Sequence, residues 1–262
     1  MLKKVIKDFL PPVFSRLITG LFYGWHGNYS SWDRAIRKSS GYDSQLIIDK
    51  VKESSLKVKM GIAQYERDSV IFSEVQYNFP ILASLLWVAS GNNGKLGVLD
   101  FGGSLGSCYF QNKLFINSFA EIKWCVVEQP NFVKVGSESF SDEKLKFYSS
   151  IEECLNENHI QIILLSSVIP YIEKPYELLE NIKSKKINFI LFDKTPLIKG
   201  KDRITVQKVN PAIYNASYPS WFFNKGKFMN FMKPEYDLVF EFDSHIMANV
   251  RSEFKGFLYK LK

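Results

Sequence analysis

The stretch Val98-Leu-Asp-Phe-Gly-Gly-Ser-Leu-Gly106 decides the fold of this chain of 262 residues. Its apolar start predicts a buried strand, and the acidic Asp100 stands near the end of that strand. Gly102 and Gly103 permit backbone angles and close approaches that a side chain would prevent. The residues after Gly106 predict a helix whose first backbone N–H groups are free to face a ligand. A strand, a glycine turn and a helix in this order indicate a ligand-binding βα unit.

Strand and helix patterns alternate after this stretch, which predicts parallel βαβ units. Five parallel strands are expected at 97–101, 122–128, 144–148, 160–166 and 188–192. Helices are expected at 75–89, 107–119 and 175–183, and a further helix begins with the capping-box sequence Ser150-Ile-Glu-Glu153. The segments 236–242 and 253–261 predict an antiparallel hairpin at the edge of the sheet. The chain is therefore predicted to form an α/β fold, a Rossmann-like seven-stranded sheet flanked by helices.

Two parts of the chain stand outside this alternation. Residues 1–66 are rich in aromatic residues and then helical, and we expect an N-terminal extension that caps the substrate side. Residues 67–262 then form the Rossmann-like domain. An insertion near 199–233 separates the last parallel strand from the terminal hairpin, at a place suited to acceptor binding.

The composition limits the setting of the protein. The net charge of +7 favours anionic partners, although no block of five or more Lys and Arg residues occurs. The three cysteines lack metal-ligand spacing, so no metal site is expected. Asp8 and the pair Pro11-Pro12 interrupt the N-terminal apolar residues, which predicts neither a signal peptide nor a membrane span. We expect a cytoplasmic protein, with peripheral contact of its amphipathic start with the inner membrane face as a second interpretation. A nucleic-acid partner is not expected, because no basic and aromatic stripe occurs.

Polar residues follow the predicted parallel strands at their carboxyl ends, where open α/β sheets bind ligands. Asp100 can hold a cationic amino group, and Glu128 can accept hydrogen bonds from two ribose hydroxyls. The expected binding set from the first two turns is Asp100, Gly102, Gly103, Ser104, Leu105, Gly106, Glu128 and Gln129. Ser149 and Ser150 follow the third strand, and Ser166 and Ser167 follow the fourth.

These motifs resemble those of class I S-adenosylmethionine-dependent methyltransferases. They are more closely similar to a family of bacterial methyltransferases associated with cell-surface polysaccharide gene clusters. The matching stretches are Trp25-His-Gly-Asn-Tyr-Ser-Ser-Trp32, Gly41-Tyr-Asp43, Leu99-Asp-Phe-Gly-Gly-Ser-Leu-Gly-Ser107, Trp124-Cys-Val-Val-Glu-Gln129, Leu145-Lys-Phe-Tyr148 and Ser166-Ser-Val-Ile-Pro-Tyr171. The likeness covers residues 23 to 198. It implies the fold, S-adenosylmethionine as cofactor, and a saccharide or lipid-linked saccharide as acceptor.

The chain departs from the class pattern Asp-x-Gly-x-Gly-x-Gly in one respect. Ser104 stands where the middle glycine belongs, and Gly103 comes one place early. The backbone of the loop is therefore expected to differ slightly from the class pattern.

The acceptor half of the site is less sharply predicted. A hydroxyl acceptor usually needs a base, and the candidates are His26, Asp193 and His245, each with structural hydrogen bonding or capping as the alternative. Flat aromatic faces suit sugar rings, which makes Trp25, Tyr29, Tyr171, Tyr218 and Trp221 candidate acceptor-binding residues. Packing onto the core is the alternative for these aromatic residues.

The sequence thus predicts a methyltransferase that acts on a hydroxyl of a saccharide or polysaccharide precursor. A nicotinamide-dependent oxidoreductase is one alternative, although Gly102-Gly103-x-x-Gly106 lacks the Gly-x-Gly-x-x-Gly register. A non-catalytic nucleoside-binding module of the same fold is the other alternative.

Overall fold

The computed structural model describes residues 22–41, 45–67, 69–244 and 246–262. The expected membrane contact of the N-terminus and the candidate base His245 lie outside the described residues. Of the described helices, none is both long enough and apolar enough to span a bilayer.

The N-terminal third contains short strands and three helices within the described residues. In chain order they are β1 (Gly24–Tyr29), α1 (Trp32–Ile36), α2 (Gln45–Lys59), β2 (Tyr65–Arg67), β3 (Val70–Phe72) and α3 (Phe79–Ser90). The helix expected from residue 75 begins at Phe79. Asn78 is its N-cap residue, with its side chain accepting a hydrogen bond from the Ile81 backbone N–H, and Pro80 occupies the first turn, where its missing N–H costs nothing.

The remaining elements alternate strand and helix before the chain turns to antiparallel strands. They are β4 (Lys95–Phe101), α4 (Ser107–Ile116), β5 (Glu121–Val127), α5 (Pro130–Ser139), β6 (Leu145–Tyr148), α6 (Ile151–Glu157), β7 (Ile162–Ser166), α7 (Pro175–Ser184), β8 (Phe189–Ile198), β9 (Arg203–Lys208), β10 (Ser217–Asn224), α8 (Lys225–Met232), β11 (Tyr236–Asp243) and β12 (Glu253–Leu261).

The central sheet has the order β6-β5-β4-β7-β8, with parallel pairing throughout. Strand β12 pairs antiparallel with β8, and β11 pairs antiparallel with β12. These seven strands confirm the predicted Rossmann-like α/β fold with a terminal antiparallel hairpin. The chain reverses its direction of winding at β4, which places a crevice between β4 and its neighbours β5 and β7.

Both faces of this sheet are buried. Successive residues of its strands are apolar, so apolar side chains point to both sides of the sheet. Val98 faces the core side that is covered by α2, α3, α4 and α5. Leu99, the next residue, faces the opposite side, which α6, α7 and α8 cover. Both side chains are fully buried, as expected for a parallel strand covered on both faces.

Strand β8 differs most from the prediction, because it continues well past Phe192. Asp193 and Lys194 together face the single residue Gly256 of β12, which forms a β-bulge. Beyond the bulge, Leu197 and Ile198 pair in parallel with the end of β10. The strand therefore belongs to the central sheet in its first half and to an extension of that sheet in its second half.

The predicted insertion forms part of that extension. Strand β9 pairs antiparallel with β10 on one side and with β1 on the other. The N-terminal segment 24–29 is thus an edge strand beside the insertion 199–233. Sequence patterns missed these strands because aromatic and polar residues are mixed in them without clear alternation.

Candidate active site

A cleft of about 1520 Å³ lies at the carboxyl ends of β4, β5, β6 and β7 and beside Asp193 and Lys194 in the middle of β8. This is the edge at which the sequence placed the ligand. The cleft exceeds the roughly 300–1,000 Å³ of a typical small-molecule site, so it has room for two ligands side by side. Most residues of the predicted binding set line it: Asp100, Gly102, Gly103, Ser104, Glu128, Gln129, Ser149, Ser166 and Ser167.

Asp100 lies in the floor of the cleft at the end of β4, with 1% of its surface exposed. The indole Nε1 of Trp124 donates a hydrogen bond of 3.0 Å to its Oδ2 atom. Burial raises the pKa of Asp100 to about 7, against the opposing effect of the Trp124 hydrogen bond, and the nearby charge of Glu128 adds to the rise. A ligand cation beside this carboxylate would favour its ionised form.

The glycine loop is shaped around this carboxylate. A Cβ atom on Gly103 would lie 2.5 Å from the carboxyl carbon of Asp100, and one on Gly102 would overlap the side chain of Val168. Gly102 has φ of +72°, a conformation that glycine adopts without cost. The structure also shows how the loop accommodates Ser104 in place of the middle glycine of the class pattern. Ser104 adopts the left-handed conformation, with φ of +55°, at the place where the pattern has glycine.

Glu128 follows β5 and faces the same cleft. Its Oε1 atom accepts a hydrogen bond from the Ser104 backbone N–H at 3.3 Å, and its Oε2 atom accepts one from the Gln129 N–H at 2.8 Å. Burial raises the pKa of Glu128, and these two N–H groups oppose the rise. Asp100 and Glu128 therefore border one glycine loop, from two adjacent strands, within a single cleft.

Glu66 is a cleft residue that the sequence did not single out. It lies on β2, 3% exposed, and accepts hydrogen bonds from the Ser107 hydroxyl and from the Ser69 backbone N–H. Ser107 is the first residue of α4, so the β2–β3 hairpin is attached to the start of the helix that follows the glycine loop. A charged residue in a short polar segment carries no signal that the fold will bury it here.

Three members of the predicted binding set lie outside the lining of the cleft. Leu105 is fully buried in the core, and Gly106 turns the chain into α4 with φ of +91°. Ser150 is the N-cap residue of α6: its hydroxyl accepts from the Glu153 N–H at 3.1 Å. The Glu153 carboxylate in turn accepts from the N–H of Ser149 rather than of Ser150.

Asp193 occupies the bulge of β8 and is 2% exposed. Its oxygens accept hydrogen bonds from Asn78 Nδ2 at 3.1 Å, Ser166 Oγ at 3.0 Å and Ser244 Oγ at 2.8 Å. These donors belong to the N-cap of α3, the end of β7 and the loop after β11. With its lone pairs engaged by three donors, Asp193 acts in this geometry as an anchor between these elements.

The described histidines lie away from the cleft lining. His26 is on β1, and its Nε2 atom is buried without a hydrogen-bond partner among the described residues. His159 borders a smaller pocket of about 400 Å³ at the opposite ends of the strands.

Aromatic side chains form one wall of the cleft, on the side of the β9–β10 extension. The rings of Tyr171 and Tyr218 meet edge to face, 5.2 Å apart. The Tyr171 hydroxyl donates to Gln207 Oε1 at 2.7 Å, and the hydroxyls of Tyr214 and Tyr218 are 3.4 Å apart. Gln207 and Tyr214, which the sequence did not single out, thus join the two predicted tyrosines.

The other three predicted aromatic residues pack beneath this wall. Trp25 contacts Phe222 and Phe254 and donates through Nε1 to Ser220 Oγ. Tyr29 packs against a small cluster around Ala35, Ile204 and Val206. Trp221 donates to the Ile172 carbonyl and stacks, at 6.0 Å, on Trp32, whose own ring lines the cleft.

The charge of the cleft is opposite to that of the whole protein. Five carboxylate side chains line its described part: Glu66, Asp100, Glu128, Asp193 and Asp243. Lys194 is the single lysine or arginine among the described lining residues. The net charge of +7 favoured anionic partners, but the cleft itself attracts cations.

No protein-family model matches the chain, and no curated protein matches its sequence. Similar solved structures include S-adenosylmethionine-dependent methyltransferases. The magnesium protoporphyrin IX methyltransferase of Synechocystis, with bound S-adenosylmethionine, is 10% identical and covers 85% of this chain and 99% of its own, with a TM-score of 0.46. A methyltransferase from Clostridium acetobutylicum is 9% identical, covers 71% and 93%, and has a TM-score of 0.45. The N-terminal domain of EvdMO1, with S-adenosylhomocysteine and D-fucose, is 10% identical, covers 76% and 90%, and has a TM-score of 0.47.

Proposed function

We propose that this protein is an S-adenosylmethionine-dependent methyltransferase whose acceptor is a hydroxyl group of a saccharide or polysaccharide precursor. The observation that carries the proposal is the pair of carboxylates, Asp100 and Glu128, on either side of a glycine loop in one cleft. A cofactor with a cationic amino group and a ribose requires acidic side chains at two such places.

The residues present fit this cofactor. A Cβ atom on Gly103 would collide with the Asp100 carboxyl group, so only glycine lets the loop pass this close to the carboxylate at the edge of the cleft. Asp100 would hold the amino group, Glu128 the ribose hydroxyls, and Ser149 the adenine end of the cofactor. When bound, the cofactor supplies an activated methyl group.

The tyrosine wall supports a saccharide as acceptor. Tyr171, Tyr214 and Tyr218 offer ring faces beside hydroxyl groups, and Gln207 adds an amide. This combination of flat apolar surface and polar tips suits a sugar ring, which has apolar faces and a polar rim. Holding the acceptor hydroxyl in line with the methyl group is the principal task of such a site, and orientation can contribute roughly 7–11 kcal/mol.

The acidic lining also distinguishes the alternatives. A nicotinamide dinucleotide would bring the two negative charges of its pyrophosphate into a cleft that already holds Glu66, Asp100 and Glu128. Like charges at short range in a buried site are strongly unfavourable. S-adenosylmethionine is favoured by the same carboxylates, because its sulfonium and its amino group together outweigh its single carboxylate.

Calorimetry with S-adenosylhomocysteine tests the cofactor. We expect binding to the wild-type protein, a loss of roughly ten- to hundredfold in affinity for Glu128→Gln, and no binding of NAD. Absence of S-adenosylhomocysteine binding would overturn the proposal. Bound S-adenosylhomocysteine without any methyl transfer in cell extracts would favour the non-catalytic module instead.

Mass spectrometry of surface polysaccharide tests the acceptor. Cells that lack the gene should yield polysaccharide whose repeating unit is lighter by one methylene than that of the parent cells. Identical masses would remove the saccharide from the proposal and leave the methyl donor in place.

A further inference from the structure

Lys194 stands out in the cleft because the fold holds it in a costly conformation. Its φ is +54°, in the left-handed region that a side chain disfavours, and it lies in the β-bulge opposite Gly256. Such backbone strain costs on the order of a kcal/mol or more and persists where the surroundings enforce it, often at functional sites. Ser104 and Ser167, at the ends of β4 and β7, share this conformation and also line the cleft.

Three hydrogen bonds, made with Ser244 and Ser167, fix the Asp193-Lys194 dipeptide. The Lys194 backbone N–H donates to Ser244 Oγ at 3.3 Å, and the same hydroxyl donates to Asp193 Oδ1. The Ser167 N–H donates to the Asp193 carbonyl at 3.0 Å. A bulge re-aims side chains, and here it turns both charged groups of one strand toward the cleft.

The two side chains of this dipeptide offer different things to a ligand. The carboxylate of Asp193 is occupied by Asn78, Ser166 and Ser244 and is fully buried. The Lys194 ammonium forms an ion pair with Asp193, with 3.6 Å between Nζ and Oδ2, and 24% of its side chain is exposed. What the dipeptide exposes to the cleft is therefore the ammonium group, which is paired with Asp193 on one side and can donate hydrogen bonds on the other.

Lys194 lines the same cleft as Ser107 and Cys108, the first residues of α4. Burial, followed by the charge of Asp100, raises the pKa of the Cys108 thiol well above its usual range, and Lys194 acts in the opposite direction on the same thiol. Lys194 is thus within electrostatic reach of the start of α4, beside the glycine loop. Arg203, by contrast, is engaged elsewhere, because its guanidinium donates to the Gly27 carbonyl.

We propose that Lys194 is a specificity-determining residue that binds a carboxylate group on the saccharide acceptor. This inference rests on the proposed function, since it names the substrate class of the same site. A uronate brings one negative charge to the exposed side of the ammonium. A phosphate, with nearly two charges, would be repelled more strongly than a uronate by Glu66 and Asp100, which line the same cleft. The acceptor class is therefore a uronic acid or a similar acidic sugar.

The experiment uses the full-length protein, loaded with S-adenosylhomocysteine, and three probes: D-glucuronate, D-glucose and D-glucose 6-phosphate. Saturation-transfer NMR titrations measure the affinity of each probe. We expect the wild-type protein to prefer glucuronate over both other sugars. Lys194→Met should lower the glucuronate affinity roughly tenfold and leave the glucose affinity unchanged, because it removes one charge-assisted hydrogen bond and keeps the side-chain length.

Two further variants separate charge from structure. Lys194→Arg keeps the charge and should keep the preference for glucuronate. Lys199→Met removes an exposed lysine from the same strand extension, outside the cleft lining, and should have no effect. Equal binding of glucose and glucuronate by the wild-type protein, no binding of glucuronate, stronger binding of the phosphate, or an unchanged glucuronate affinity in Lys194→Met would each overturn the inference.

The same titrations without S-adenosylhomocysteine separate the two proposals. If the protein fails to bind S-adenosylhomocysteine but still prefers glucuronate through Lys194, the cofactor assignment fails and the role of Lys194 stands. If it binds S-adenosylhomocysteine and shows no dependence on Lys194, the role of Lys194 fails and the cofactor assignment stands.

Discussion

The two ends of the cleft are built in different ways. The cofactor end comes mainly from two βα turns, at Asp100 and at Glu128, and its polar groups are carboxylates and backbone N–H groups. The acceptor end is assembled from β9, β10, the segment after β7 and the bulge of β8, and its surface is aromatic. The cofactor end is formed by short contiguous stretches of sequence and is acidic. The acceptor end is formed by stretches that lie far apart in the sequence, and its surface is largely apolar.

This difference indicates which end of the cleft can accept amino-acid substitutions without rearrangement. At the cofactor end, even a single methyl group added at Gly103 would collide with the carboxyl group of Asp100, so the loop cannot accommodate a side chain there. At the acceptor end, the tyrosines belong to separate elements, and each can be altered without moving the glycine loop. We expect substitutions to affect the two ends independently.

Gly103→Val gives the largest effect and breaks the cofactor end alone. The new side chain would displace the Asp100 carboxyl group or the loop, and overpacking of this kind costs about 1–3 kcal/mol. We expect S-adenosylhomocysteine affinity to fall roughly a hundredfold or more by calorimetry. Gly200→Val is the matched control, because a Cβ atom there meets nothing within 4 Å. Equal affinities for the two variants would contradict the assigned loop.

Asp100→Asn tests the cofactor end through the pH dependence of S-adenosylhomocysteine binding. Because Asp100 has a pKa of about 7, it is increasingly protonated below pH 7, and its hold on a cationic amino group weakens there. We expect the wild-type affinity for S-adenosylhomocysteine to fall as the pH decreases through about 7. Asp100→Asn should bind roughly ten- to hundredfold more weakly at high pH and lack this pH dependence. A wild-type affinity that stays flat across this range would argue against Asp100 as the contact.

The stability of the ligand-free protein should depend on pH in the opposite direction to its affinity for S-adenosylhomocysteine. The pKa of Asp100 rises from 3.8 to about 7 on folding, so the folded state binds more protons between these values. Stability therefore falls as the pH rises from about 4 to about 7, by on the order of 4 kcal/mol in the limit of full burial. Denaturant titrations at several pH values should show this slope in the wild-type protein and a smaller one in Asp100→Asn.

Ser150→Ala has a smaller effect that separates the neighbours Ser149 and Ser150. Loss of the N-cap hydroxyl of α6 should lower the free energy of unfolding by about 1 kcal/mol. Since Ser150 lies outside the cleft lining, the affinity for S-adenosylhomocysteine should stay within about twofold of wild type. Chemical denaturation and calorimetry measure the two quantities. A large loss of affinity would return Ser150 to the cofactor site.

Tyr171→Phe gives the smallest change and probes the acceptor end. It removes the 2.7 Å hydrogen bond to Gln207 Oε1, which should cost about 0.5–1.5 kcal/mol of unfolding free energy in denaturant titrations. The affinity for S-adenosylhomocysteine should not change by calorimetry. If it fell tenfold, the two ends of the cleft would be coupled and the comparison would fail.

The same difference explains how far the sequence could lead. The seven-stranded sheet and the cofactor end were predictable because the glycine turn, the acidic strand ends and the apolar strands are contiguous patterns. Tyr171, which comes shortly after β7, and Asp193, which follows the predicted end of the last parallel strand, were predictable as cleft residues for the same reason. Leu105 and Ser150 of the predicted binding set lie outside the cleft lining, and a turn's sequence does not tell which of its side chains face a ligand.

The remaining residues could not be predicted because their positions depend on long-range packing. Glu66 reaches the cleft through a two-stranded hairpin attached to Ser107, and Gln207 reaches it through a strand that pairs with residues 24–29. The bulge at Lys194 arises from the pairing of β8 with β12, more than fifty residues later in the chain. The aromatic residues Trp25 and Trp221 resemble ligand-binding residues in composition but are used for packing.

The position of β1 has a consequence for any shortened form of the protein. This strand covers the outer edge of β9, so the peptide groups along that edge are paired in the intact chain. The outer edge of β1 is also unpaired, but the pairing of β1 shifts register between His26 and Tyr29, whereas removal of the first 30 residues would expose the regular edge of β9 as a template for strands of other molecules. A form trimmed to the Rossmann-like core should therefore self-associate, even though its nucleotide-facing turns would be untouched.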